Sequence, residues 1–248
     1  RFSYNETVMF LGEDDVAPLL YDIEEVVAVT SYDLATVYEE GKDYEVKDGK
    51  LLRTANSWIP YFTEDEYYPK EYVANKMMRC LTEGKEYVLY GERDTFTSRQ
   101  IAVTYTHEEG WNGFVPVSEA AKLIKTTQKL ESGKDIKILF YGDSITTGAN
   151  SSKKVGVKPY AETYPEMVVS ALKEKYGYDE INYTVNNNKS DESVSYTDSP
   201  SRGEKKIIDY INTAVGGQDS LWANANYRAR VSEFKPDLLF IAFGMNDK

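Results

Sequence analysis

Residues 136–146 read IKILFYGDSIT, an apolar run that ends abruptly in glycine, aspartate and serine. A continuous apolar run is typical of a parallel strand that is buried on both faces of a sheet. In such sheets ligands bind beyond the carboxyl ends of the strands. We therefore expect Ser144 to project its hydroxyl into that crevice, where nearby N–H groups stabilise an oxyanion. Taken alone, the motif is equally compatible with a turn that has no chemical role.

Two later stretches repeat the pattern. Residues 208–215 and 238–243 are further candidates for buried strands, and they lead into Gly216-Gly217 and into Gly244-Met245-Asn246-Asp247. Glycine lets a backbone N–H approach a ligand closely, and an asparagine amide is a neutral donor suited to an oxyanion. Three strand ends on one sheet edge therefore predict the nucleophile and oxyanion hole of acyl transfer.

Helical segments alternate with these strands. One is predicted to begin near Pro165 and to stop at Gly177, and another spans residues 219–234. A linker helix within residues 116–134 precedes the first strand. Alternation of this kind predicts a parallel α/β sheet with right-handed crossovers. Only three core strands are evident, and the polar residues 186–205 are interpreted as a surface insertion.

Residues 1–115 predict a different, β-rich module. Runs such as QIAVTYT at 100–106 are rich in β-branched and aromatic residues, and Asp48-Gly49 is a hairpin signal. Because no long helical periodicity appears, we expect a sandwich or jelly-roll-like module. Six aromatic residues could serve either as sugar-stacking faces or as core: Trp58, Tyr61, Phe62, Tyr67, Tyr68 and Tyr72.

Composition and charge argue against several classes of partner and of metal site. The 248 residues include 29 basic and 41 acidic side chains, and the acidic excess falls within residues 1–115. This charge disfavours nucleic acid and anionic membranes as partners. No apolar run approaches the ~18–20 residues that a membrane span needs. The single cysteine, Cys80, and the single histidine, His107, argue against a disulfide and against Cys- or His-rich metal centres. We expect no metal and no organic cofactor.

The ordered motifs GDSIT, NTAVGG and GMND resemble blocks I, II and III of the SGNH hydrolase superfamily, also called GDSL esterases and lipases. The resemblance covers about residues 135–248 and implies a flavodoxin-like, three-layer α/β domain. It also implies that Ser144 is the nucleophile and lends its N–H to the oxyanion hole. Gly217, five residues after Asn212, would supply a second N–H, and Asn246 would supply its side-chain amide.

One motif of the family has no counterpart. Block V, a D-x-x-H that supplies the general base and its orienting carboxylate, is absent. His107 lies upstream in YTHEEGW without an aspartate three residues before it, so a local structural role is favoured. The expected domains are therefore a β-rich accessory domain at 1–115, a linker helix at 116–134 and an incomplete SGNH domain at 135–248. We expect the natural chain to continue and to carry the D-x-x-H.

The order of the two modules resembles that of two-domain carbohydrate esterases. This implies a serine esterase that acts through an acyl-enzyme on small acyl esters, such as O-acetyl groups on a polysaccharide or a smaller sugar. The alternative is a non-catalytic glycan-binding or scaffold protein with a degenerate SGNH-like domain. A sheet edge left open predicts self-association. We favour an extracellular or cell-surface location over a cytoplasmic one.

Overall fold

The computed structural model describes residues 1–13, 15–117, 119–189 and 205–247. The chain divides into two compact units. The first comprises residues 1–115 with 157–159, and the second comprises residues 116–156 with 160–248. Most of the polar stretch 186–205 falls outside the described residues, so the predicted surface insertion has no structural account.

The first unit is built from strands. They are β1 (Phe2–Leu11), β2 (Glu25–Ser31), β3 (Val37–Tyr38), β4 (Tyr44–Lys47), β5 (Lys50–Arg53), β6 (Tyr61–Phe62), β7 (Met77–Arg79), β8 (Tyr87–Leu89) and β9 (Gln100–Thr106), with a short helix α1 (Glu64–Tyr67) and a 3₁₀ turn (Thr97–Arg99). Five strands form one sheet in the order β3-β2-β9-β1-β6, and β4-β5 and β7-β8 form separate hairpins.

Alternation along the strands creates the core of this unit. Phe10, Val29 and Val103 point from β1, β2 and β9 into one cluster, and Leu51 of β5 joins it. The β4-β5 turn at Asp48-Gly49 has positive φ at both residues, as a hairpin of that sequence requires. A single five-stranded sheet with two hairpins makes the unit β-rich. It does not confirm the sandwich or jelly-roll prediction.

The aromatic cluster of the first unit has mixed environments. Phe62 is buried and stacks at an angle on Tyr67 and Phe96, which accounts for it as core. Trp58 and Tyr72 are exposed. The core interpretation therefore holds for Phe62, and sugar stacking by the exposed rings remains a prediction.

The second unit alternates helices and strands. Its elements are a 3₁₀ turn (Ala120–Leu123), α2 (Ile124–Glu131), β10 (Ile136–Gly142), α3 (Ser144–Thr147), α4 (Ser152–Val155), α5 (Tyr164–Tyr176), β11 (Glu180–Val185), β12 (Ile207–Asn212), α6 (Ser220–Arg230), a 3₁₀ turn (Ser232–Phe234) and β13 (Leu238–Ala242). All pairings are parallel, in the order β11-β12-β10-β13. A parallel α/β sheet is thus confirmed for this part of the chain.

Two expectations for this unit were wrong in detail. The sheet has four described strands instead of three, because residues 180–185 form β11 beside β12. Its sequence, EINYTV, lacks the continuous apolar run of a central strand because it lies at the sheet edge, where most of its side chains stay partly exposed. The linker helix is also shorter than residues 116–134, since α-helix is confined to α2.

Side chains of β10 alternate between two cores. Ile136, Ile138 and Phe140 face a cluster that includes Val169 of α5, whereas Leu139 and Tyr141 face a cluster that includes Ala223 of α6. Both faces of the sheet are therefore covered by helices, which explains why β10 reads as a continuous apolar run. α5 begins at a capping box, Thr163 with Glu166, and ends at Gly177, as predicted.

The part of the chain that the structure describes contains no helix that is long and apolar enough to cross a membrane. Among the described strands, β13 pairs only with β10, and Ile241 at its outer side is exposed. Self-association through that edge remains a prediction.

Candidate active site

Three strand ends meet at one edge of the parallel sheet. The register pairs Phe140 of β10 with Asn212 of β12, and Gly142 of β10 with Ala242 of β13. Backbone bonds continue the alignment beyond the strands: Val215 N–H donates to the Gly142 carbonyl, and Asp143 N–H donates to the Ala242 carbonyl. The turns that follow β10, β12 and β13 therefore begin side by side.

The turn after β10 is tightly packed around Gly142. A Cβ at this position would lie 2.6 Å from the Ala242 carbonyl oxygen and 2.2 Å from Thr146 Oγ1. These distances are far below van der Waals contact, so only glycine allows β13 and the start of α3 to approach β10 this closely. Gly142 in the GDS motif thus sets the distance between the nucleophile turn and the neighbouring strand.

Ser144 is the first residue of α3, and Asp143 caps that helix. The buried Asp143 carboxylate accepts a hydrogen bond from Ile145 N–H at 2.9 Å. At the other end, Thr147 Oγ1 donates to the Ser144 carbonyl at 2.8 Å. Ser144 itself is half-buried. The short helix therefore holds the serine backbone at both ends and leaves its side chain within reach of solvent.

Gly216, in the turn after β12, lies against Ser144. A Cβ built on Gly216 would be 3.7 Å from Ser144 Cβ, an ordinary van der Waals contact. Both Gly216 and Gly217 are exposed, and Gly217 has φ +72°, a backbone conformation that favours glycine. The glycine pair therefore borders Ser144, with Gly216 as its direct neighbour. The donor role predicted for Gly217 remains a prediction.

Asn246, in the turn after β13, is bonded to the turn after β12. Its Nδ2 donates to the Gln218 carbonyl at 3.0 Å, and Gln218 Nε2 in turn donates to the Gly216 carbonyl at 3.1 Å. Asp247 Oδ1 accepts from Ser220 N–H, the first residue of α6, at 2.7 Å. Asp247 thus organises the turn through hydrogen bonding, and the half-buried Asn246 is attached to the glycine loop.

The structure therefore brings Ser144 beside Gly216 and Asn246 beside Gln218. These four residues belong to adjoining turns, and hydrogen bonds join the turn after β13 to the turn after β12. Ser144, Gly217 and Asn246 follow the ends of three neighbouring strands. Their joint action on one oxyanion is taken up below as a proposal.

A cavity of about 380 Å³ opens beside α3. Most of its wall surface is apolar, and polar side chains are placed along it, including those of Thr147, Ser151, Lys154, Glu166, Asn187 and Asn212. Lys154 Nζ donates to the Thr147 carbonyl at 2.6 Å, which links the cavity wall to the helix that begins with Ser144. Ser151 Oγ is buried without a hydrogen-bond partner among the described residues. We call this space the Thr147 cavity.

His107 belongs to the first unit and has a local role. Its side chain is buried, its ring stacks on Tyr21 with centroids 4.1 Å apart, and Nδ1 lies 2.8 Å from the Glu109 carbonyl oxygen. This is the local structural role that the sequence favoured. Residues 116–248 contain no histidine.

Residues that could hold a metal ion do not cluster in the described ranges, where no group of three or more His, Cys, Asp or Glu side chains has suitable geometry. Sequence reasoning used Asn212 only as a motif landmark and did not foresee its contacts with Thr146. No local signal could have revealed them, because the two residues are joined only when β10 and β12 pair.

Part of the chain is similar to known proteins. Residues 138–248 match the family described as GDSL-like lipase/acylhydrolase. No curated protein matches the chain. A solved structure, described as a two-domain esterase active on acetylated mannans, aligns with 22% identity and a TM-score of 0.35. That alignment covers 51% of this chain and spans 25% of the length of the solved esterase chain.

Proposed function

Because residues 138–248 form a GDSL-like acylhydrolase domain, we propose that the protein is a serine esterase that removes small acyl groups, most simply acetyl, from hydroxyl-rich alcohols such as carbohydrates. Ser144 is the nucleophile. Gly217 N–H, Ser144 N–H and the Asn246 side-chain amide stabilise the oxyanion. The observation that carries the proposal is the contact between Gly216 and Ser144 at an accessible sheet edge.

The reaction would proceed in two steps. Ser144 Oγ attacks the ester carbonyl, its proton passes to a general base, and the carbonyl oxygen becomes an oxyanion held by N–H donors. Collapse of this intermediate expels the alcohol and leaves an acyl-serine, which water then hydrolyses. The family resemblance implies the histidine of a D-x-x-H motif as the base, and residues 116–248 do not supply one. Turnover therefore depends on a base beyond the residues described here.

The Thr147 cavity supports the carbohydrate part of the proposal. Lys154 Nζ offers donors, and the Glu166 carboxylate and the Asn187 amide oxygen offer acceptors. A sugar presents hydroxyl groups together with apolar C–H faces, and a mostly apolar wall with a few polar groups can bind both. The cavity volume of about 380 Å³ is large enough for one sugar ring.

A decisive test is covalent trapping with 4-nitrophenyl acetate. Incubation of the protein with this ester should add the mass of one acetyl group, and peptide mapping should place it on Ser144. Ser144→Ala should lose both the adduct and hydrolysis. Ser132→Ala is the matched control, because Ser132 Oγ is exposed and bonds only to the nearby Lys129 carbonyl. Hydrolysis that survives Ser144→Ala would refute Ser144 as the nucleophile.

The second candidate is a glycan-binding protein without catalysis. It is favoured by one observation: His107 is buried in the first unit, where Tyr21 and Glu109 hold it, and the second unit contains no histidine. Binding of an acetylated sugar by native protein, with no acetyl adduct and no hydrolysis, would support this candidate over the esterase.

A further inference from the structure

Asn212 is the last residue of β12, and every hydrogen-bonding group of its side chain is paired within the protein. It is 2% exposed, and its amide makes four hydrogen bonds. An asparagine amide offers two N–H donors and an oxygen with two lone pairs, so no further capacity remains. A buried polar group with every bond satisfied fixes its neighbours in one arrangement.

The amide nitrogen of Asn212 is bonded to α3, the helix that begins with Ser144. Asn212 Nδ2 donates to the Thr146 carbonyl at 2.9 Å, and Thr146 lies two residues after Ser144 in α3. The same nitrogen donates to Tyr210 Oη at 3.0 Å. Burial raises the pKa of Tyr210 to about 12, so its phenol stays protonated and can accept this bond with an oxygen lone pair.

The acceptor half holds the loop that leads to the glycine pair. Asn212 Oδ1 accepts from Ala214 N–H at 3.1 Å and from Asn187 Nδ2 at 3.2 Å. Asn187 Nδ2 also donates to the Ala214 carbonyl at 2.7 Å, which closes a ring of bonds around Ala214. Ala214 is two residues before Gly216, so this half of the amide sets the path of the glycine loop.

We infer that Asn212 is a positioning residue for catalysis. One half of its amide holds the helix that begins with Ser144, and the other half holds the Gly216-Gly217 loop. We call this pair of contacts the clamp. The inference rests on the proposed function. Asn212 lines the Thr147 cavity, but its amide groups are all paired within the protein, so it acts through Thr146 and Ala214 and not on the reacting atoms. A displacement of about 1 Å between the nucleophile and the oxyanion donors costs roughly 100-fold in rate.

Asn212→Asp tests the clamp without changing its size. The carboxylate keeps an acceptor for Ala214 N–H but loses the donor to Thr146, so two oxygens face each other at 2.9 Å. We expect kcat to fall roughly 10–100-fold while KM stays within about twofold, since Asn212 is 2% exposed and its amide has no free group for a substrate. Protonation of the new carboxyl restores an O–H donor, so the ratio of variant to native kcat should rise as the pH falls.

The charged and titratable groups that face this position come from three elements. Tyr210 lies on β12, Glu166 on α5, and Lys153 and Lys154 on α4 border the same cavity. All four are present in both proteins, so their own titration cancels in the ratio of variant to native kcat, and the ratio reports the ionisation of the new carboxyl in their presence. Asn182→Ala is the matched control: Asn182 Nδ2 bonds Asp209 Oδ1 in the same sheet, away from the turns. Its kcat should match the native value.

The outcomes separate the two proposals. If Ser144→Ala abolishes hydrolysis and Asn212→Asp keeps native kcat at all pH values, the clamp is refuted and the esterase stands. If hydrolysis survives Ser144→Ala, the esterase falls and the clamp with it. Should Asn212→Asp show no cooperative unfolding transition, Asn212→Ser replaces it, and a kcat within about twofold of native would then overturn the inference.

Discussion

The side-chain amide of Asn246 is bonded to the Gln218 carbonyl over 3.0 Å, so the turn after β13 is fastened to the turn that carries the glycine pair. One N–H of the amide is engaged by this bond, and the nitrogen keeps a second N–H. The bond therefore fixes the orientation of Asn246 while leaving a donor for a developing oxyanion.

Asn246→Ala should lower kcat for 4-nitrophenyl acetate by roughly 10²–10³, because removal of one oxyanion donor costs about that much. KM should change little, since the donor acts on the charge that forms in the transition state. Steady-state kinetics measure both parameters. Asn226→Ala is a suitable control, because Asn226 Nδ2 bonds the Trp222 carbonyl within α6. Equal losses in both variants would show a general effect on folding.

Gly216→Ala should slow acylation with little effect on stability. The added methyl would lie 3.7 Å from Ser144 Cβ, a normal contact for the fold, but it would occupy space beside the nucleophile that an acyl group needs. We expect kcat/KM to fall more for a butyrate ester than for an acetate ester, while the melting temperature stays within a few degrees. A variant that hydrolyses both esters at the native rate would place the acyl group elsewhere.

Asp143→Ala should destabilise the second unit by about 0.5–2 kcal/mol, the usual cost of removing an N-cap acceptor. The buried carboxylate bonds Ile145 N–H, and alanine leaves that donor unpaired. Asp143→Asn keeps an acceptor oxygen and should lose less. Urea unfolding curves of the two variants give the difference, and identical midpoints would mean that the cap contributes nothing.

Stability should fall at alkaline pH through buried tyrosines of the second unit. Burial raises the pKa of Tyr141, Tyr178 and Tyr210 to about 12, whereas an unfolded tyrosine titrates near 10. Between these values the unfolded chain has lost protons that the folded chain keeps. The free energy of unfolding is therefore undiminished below pH ~10 and decreases as the pH rises toward ~12, by at most ~2.7 kcal/mol per tyrosine.

Urea unfolding at about pH 9 and pH 11 measures this decrease. Tyr141→Phe is the informative variant, because it removes the ionisable hydroxyl that donates to the Ala223 carbonyl. It should be less stable than the native protein at the lower pH and should lose less stability between the two pH values. A Tyr141→Phe variant with the native pH dependence would show that Tyr141 ionises normally in the folded state.

Sequence patterns revealed β10 because it is buried on both faces of the sheet. Ile136, Ile138 and Phe140 face one core while Leu139 and Tyr141 face the other, so β10 is apolar at almost every position. β11 was missed because its residues 180–185 are mostly half-exposed and form no continuous apolar run. Its sequence, EINYTV, alternates polar and apolar residues, which is the pattern of a half-buried strand and the signal that could have found it.

The site itself was only partly predictable. The motif order placed Ser144, the glycine pair and Asn246 at one sheet edge, because parallel strands end together. Which glycine contacts Ser144 depends on the path of one turn, and the structure places Gly216 there. The Asn212 amide joins residues 66 positions apart in the chain, so no local sequence pattern could reveal the bond to Thr146.

β10, which leads to Ser144, and β13, which leads to Asn246, should differ in how often their backbone hydrogen bonds open. β10 is hydrogen-bonded on both sides, by β12 and β13, whereas β13 within the described residues is bonded only by β10. Amide protons of β10 should therefore exchange with solvent only in global unfolding, and those of β13 in smaller, more frequent fluctuations. Such a fluctuation would carry Asn246 away while Ser144 stays fixed, so the protein would spend part of its time with the bond between Asn246 and Gln218 broken.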